Sequence, residues 1–72
     1  MKMKLFVWTD VLAENTSGIA FALAKNADEA RKLIIEKYEK EQEYTSDLLV
    51  SDLKSEPLLV ESKEGFYVWG GG

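Results

Sequence analysis

The sequence predicts an α+β domain: a small antiparallel sheet in β-β-α-β-β order, a short second helix before the third strand, and one main helix packed on one face. Three observations carry this prediction. Two runs near the amino end are rich in β-branched and aromatic residues or alternate with a period of two, a capped middle stretch has apolar residues with a period of 3.6, and two short apolar runs follow the only proline. No repeat, low-complexity run or linker interrupts residues 1–72, which read as a single domain.

Met3-Lys4-Leu5-Phe6-Val7-Trp8 forms the first expected strand, ending at Thr9-Asp10. The polar stretch from Asp10 that closes on Gly18 reads as a loop. Ile19-Ala20-Phe21-Ala22-Leu23-Ala24 alternates large with small side chains, as in a strand whose two faces meet different surroundings. The two strands are consecutive and are expected to pair antiparallel. Asn26-Ala27-Asp28-Glu29 opens the helix: Asn26 is suited to cap the free amides, and Glu29 to reach back in a capping box. The helix is expected over 27–42, with Ala27, Ala30, Leu33, Ile34 and Tyr38 on one stripe and Lys32, Glu36, Lys37, Lys40 and Glu41 on the outer face.

The segment 45–55 fits two states. A short helix capped by Ser46 puts Leu49 and Leu53 one turn apart, whereas a strand would alternate Leu48, Val50 and Asp52; the Ser-Asp opening favours the helix. Pro57 closes that segment and introduces a third strand, Leu58-Leu59-Val60-Glu61. Lys63-Glu64-Gly65 then turns the chain into a fourth, Phe66-Tyr67-Val68-Trp69.

Both faces of such a sheet are apolar, and one main helix covers only one of them. Phe6, Trp8, Tyr67 and Trp69 are placed together on the second face, with Ala20, Ala22 and Ala24 as a shallow floor between them. Trp and Tyr over small neighbours are the composition of binding hot spots, so these four aromatics are the candidate partner-binding residues. Either a partner covers this face, or Leu48, Leu49, Val50 and Leu53 fold over it as core.

Composition narrows the function classes. A chain of 72 residues, 46% apolar and without cysteine, buries only about 60% of its unfolded surface and has no disulfide or thiolate metal site to compensate, which leaves homo-oligomerisation as a route to further burial. Its net charge of −4 argues against direct contact with nucleic acid. No run reaches membrane-spanning length and the amino end lacks a signal-peptide pattern, so the expectation is a cytoplasmic protein with no membrane partner. With neither histidine nor cysteine, the triads, thiol nucleophiles and zinc sites built from them are absent. Asp10, Glu14, Asn15 and Thr16 cluster in one stretch, but these are ordinary turn and capping residues without calcium-loop spacing. The reading is not an enzyme, with no cofactor and no metal.

Two resemblances follow from particular residues. The strand order together with Met3-Lys4-Leu5-Phe6-Val7 and a closing Gly71-Gly72 resembles ubiquitin and the small sulfur-carrier proteins. That resemblance implies adenylation of the Gly72 carboxylate, followed by thiocarboxylate loading or joining to a lysine. Val7-Trp8-Thr9-Asp10-Val11-Leu12, Thr16-Ser17-Gly18 and Ala22-Leu23-Ala24-Lys25-Asn26-Ala27-Asp28-Glu29-Ala30, with Glu56-Pro57 and an aromatic before terminal glycines, look like small uncharacterised phage and mobile-element proteins of bacteria. This second resemblance implies an accessory or inhibitor protein that binds a macromolecule. The expected function is therefore a small non-enzymatic protein-binding module acting through an apolar-aromatic sheet face; the alternative is a modifier or sulfur carrier activated at Gly71-Gly72.

Overall fold

A computed structural model describes residues 2–12 and 18–67. Over these residues the chain forms β1 (Lys4–Val11), β2 (Gly18–Ala24), α1 (Ala27–Gln42), α2 (Asp47–Asp52) and β3 (Leu58–Val60). The strands make one antiparallel sheet in the order β2-β1-β3, an α+β arrangement with two helices.

β1 runs further than its sequence signal. It continues through Thr9 and Asp10 to Val11, with the register shifting between Thr9 and Val11 and Asp10 held at φ 65°. Such a bulge adds one residue and bends the strand. Leu12 follows at φ 52°, a conformation unfavourable for a branched side chain, and its N–H is held by the Asp52 carboxylate at 2.8 Å. Gly18 opens β2 directly opposite Val11. A Cβ there would sit 2.9 Å from the Val11 carbonyl oxygen, so glycine is required by close approach of the two backbones.

The main helix has the bounds its periodicity predicts. Asn26 Oδ1 accepts the Glu29 N–H at 2.8 Å, and Glu29 Oε1 accepts the Lys25 N–H at 3.1 Å, a capping box displaced one residue upstream. Glu43, left-handed at φ 64°, ends the helix by donating its N–H to the Glu39 carbonyl. The second helix is the favoured reading of 45–55: Ser46 Oγ accepts the Leu49 N–H at 3.1 Å, and both Leu49 and Leu53 are buried.

The four-strand expectation is corrected to three. β3 is only three residues long, and Phe66 and Tyr67 lie outside any strand; Val68 and Trp69 fall outside the described residues. A three-residue ladder offers few backbone groups to template a neighbour. The helical stripe also needs one correction. Ala30 is buried and Ala27, Ile34, Ile35 and Tyr38 pack against the core, but Leu33 is 43% exposed.

Candidate functional site

The strand registers fix which side chains share a face. Phe6 pairs with Ala22 and Leu59, and Trp8 with Ala20, so the aromatic pair and the alanine floor do lie together as expected. This face is closed over Phe6 and Trp8, while Ala20 and Ala22 stay partly exposed. Phe6, Trp8, Val11 and Ala24 form one buried cluster with Ala30 of α1, with Leu49 of α2 and with Leu53 at its C-cap. Trp8 is 1% exposed, and its Nε1–H donates to the Ser55 carbonyl at 2.8 Å. A buried indole needs such an acceptor.

The four candidate aromatics therefore separate. Phe6 and Trp8 are core, Tyr67 is almost fully exposed, and Trp69 lies outside the described residues. The physical reason is α2: Leu49 within it and Leu53 at its C-cap, one turn apart on a helix capped by Ser46, pack with Phe6 and Trp8 in one cluster. Gly71 and Gly72 lie outside the described residues, as do Glu14, Asn15 and Thr16 of the polar cluster.

Arg31 locks this closure. Its Nε–H donates to the Leu53 carbonyl at 2.6 Å, its guanidinium lies 5.4 Å from the Trp8 ring centroid, and Nη1 pairs with Asp28 at 2.9 Å. One side chain thereby ties α1 to the end of α2 and to β1, using the fork and the flat face that only arginine offers. Sequence reasoning passed over Arg31. The available signal was that it is the only arginine beside eight lysines.

The other side of the sheet differs. Leu5, Val7 and Thr9 of β1 stand beside Leu23, Phe21 and Ile19 of β2, with Val60 and Leu58 of β3 opposite Leu5 and Val7. Val7, flanked by Phe21 and Leu58, is fully buried. The exposure is largest on β2, where Phe21 is 64% and Leu23 59% exposed; Ile19, and Leu58 of β3, are each about half exposed. β2 is also an edge of the sheet among the described residues. A groove of about 370 Å³ lies between β2 and α1, lined by Ala20, Phe21 and Ala22 from β2, by Leu33, Ile34 and Lys37 from α1, and by Leu49, so that it reaches the alanine side of the strand.

The surface thus comprises an uncharged strand, one row of large apolar side chains on it, and a neighbouring apolar groove. No group of metal-ligating side chains occurs among the described residues. No helix among them is long and apolar enough to cross a membrane. Comparison with known proteins finds no matching family model, no matching curated protein and no matching solved structure.

Proposed function

We propose that the chain is a small non-enzymatic protein-binding module whose docking surface is β2 and its flanks, with Ile19, Phe21 and Leu23 as anchors. The observation that carries this reading is the exposure of all three on a charge-free strand that is a sheet edge among the described residues. Exposed contiguous apolar side chains favour burial against another macromolecule, and an open edge offers a row of backbone groups for pairing. In this reading α1 lies across the Ala20-Ala22-Ala24 face, α2 and Arg31 close that face, and β2 is left to bind. The setting is an accessory or inhibitor protein of a phage or mobile element, working in the cytoplasm on a protein rather than on nucleic acid or membrane.

A photo-crosslinking residue at Phe21 in living cells tests the reading, with one at Leu48, exposed at the start of α2, as the control. A defined adduct from position 21 and none from position 48 is the expected outcome. No adduct, or equal adducts from both, overturns it. The carrier alternative predicts a thiocarboxylate or lysine conjugate at Gly72 in the mass spectrum of the native protein, and loss of function when Gly71-Gly72 are deleted. The binding module predicts neither.

A further inference from the structure

The docking surface has an internal symmetry that identifies an occupant. We infer that, if β2 is the docking surface proposed above, its partner is a second copy of this chain: two β2 strands pair antiparallel about a twofold axis at Phe21, joining two three-stranded sheets into one of six.

The strand is its own complement. β2 spans Gly18–Ala24 with Phe21 at its centre. Antiparallel pairing about that residue sets Phe21 opposite Phe21, Ile19 opposite Leu23, and Ala20 opposite Ala22, so that large meets large on one face and small meets small on the other. A twofold contact requires this self-matching. Edge strands in monomers are ordinarily protected by lysine, proline or a charge pointing inward, and β2 has none of these.

The helix layer obeys the same axis. Phe21 lies three strand residues before Ala24, about 10 Å along β2, and Leu33 lies six helical residues after Ala27, about 9 Å along α1. Both line the same groove, so an axis through Phe21 also brings the two exposed Leu33 side chains together. Glu29, Leu33, Lys37 and Glu41 follow one another at intervals of four on α1. Reversed about Leu33, that stripe puts Lys37 of one copy opposite Glu29 of the other. Opposite charges therefore meet once on each side of the axis. Neighbouring helices need about 8–10 Å between axes, against about 4.8 Å between paired strands, so each α1 must lean inward from its own β2. The contacts of Ala30 and Arg31 with the Trp8 side of the core draw it in that direction. The resulting interface is small, near the lower limit of about 1,200 Å² for specific association, and the dimer is accordingly expected to dissociate on dilution.

Sedimentation velocity from micromolar to millimolar concentration tests the inference on the full chain. The expected result is a mass rising from one chain to two and no further. Phe21→Arg, at an exposed position where circular dichroism should remain unchanged, is expected to abolish the dimer. Lys37→Glu is expected to raise the dissociation constant about tenfold at low salt. Leu58→Arg, on the far edge strand, should leave the dimer intact. A monomer at every concentration, a mass growing past two chains, a dimer indifferent to Phe21→Arg, or one equally dissociated by Leu58→Arg would overturn the homodimer. A monomer that still gives a crosslink to a different protein from position 21 would leave the docking surface standing and remove only its assignment to a second copy.

Discussion

The two faces of β2 carry alternate residues of the same seven-residue strand and meet opposite fates. On one side Ala24 is buried and Ala20 and Ala22 are partly so, and the aromatic bulk of the core cluster comes from Phe6 and Trp8 on β1. On the other side Ile19, Phe21 and Leu23 are large and largely uncovered. Hydrophobicity alone does not separate these faces. Closure depends on the presence of a second element shaped to cover one of them, here α2, held by the Ser46 cap and by Arg31. The difference teaches that in a chain this small a polar lock can bring a lid to one apolar face, while on the other only the central Val7 is fully buried and the flanking β2 side chains stay exposed.

The sharpest way to break this comparison is to empty the closed side. Leu53→Ala and Leu49→Ala should each cost about 2–5 kcal/mol in urea denaturation, enough to unfold much of a small domain. A loss below about 1 kcal/mol for both would mean that α2 does not seal the sheet. Removing the lock should cost less. Arg31→Ala gives up the bond to the Leu53 carbonyl and the stack on Trp8, an expected loss of about 1–3 kcal/mol, and Arg31→Lys should recover little of it because lysine lacks the planar fork. Recovery of full stability by lysine would reduce the role of Arg31 to simple charge.

The cap comes next. Ser46→Ala should cost about 0.5–2 kcal/mol through the freed Leu49 amide, and Ser46→Asp should restore most of that. The smallest effects belong to the open side. In dilute protein, where the chain is monomeric, Leu33→Ala and Lys37→Ala should each change stability by less than about 1 kcal/mol. A Leu33→Ala loss as large as that of Leu53→Ala would place Leu33 in the core after all.

Local chemistry made most of the elements legible. Asn26 and Glu29 fixed the start of α1, Ser46 with the Leu49–Leu53 spacing distinguished α2 from a strand, and the alternation in 19–24 defined β2. The parts that were not legible depend on tertiary contacts. A period of 3.6 admits both Leu33 and Ile34 to a buried stripe; the rotation that exposes Leu33 goes with Arg31 engaging Trp8 and Leu53, residues 23 and 22 positions away. The aromatic face was correctly assembled around Phe6 and Trp8, but the strand pattern is the same whether a lid or a partner covers it. The expected fourth strand is not formed at Phe66 and Tyr67, and Val68 and Trp69 lie outside the described residues. For the site, the alternation identified two unlike faces of β2, yet the small face attracted attention because of its aromatic neighbours. The large face, with Phe21 at its centre, is the one left exposed.

Iodide quenching of a single indole on each face tests the central claim most directly. With Trp69→Phe leaving Trp8 as the only tryptophan, its fluorescence should resist quenching at every protein concentration. With Trp8→Phe, Trp69→Phe and Phe21→Trp together, the introduced indole should be quenched efficiently in dilute protein and become protected as concentration rises. Ready quenching of Trp8 in the folded protein, or an indole at position 21 already protected in the dilute monomer, would contradict the assignment of closed and open faces.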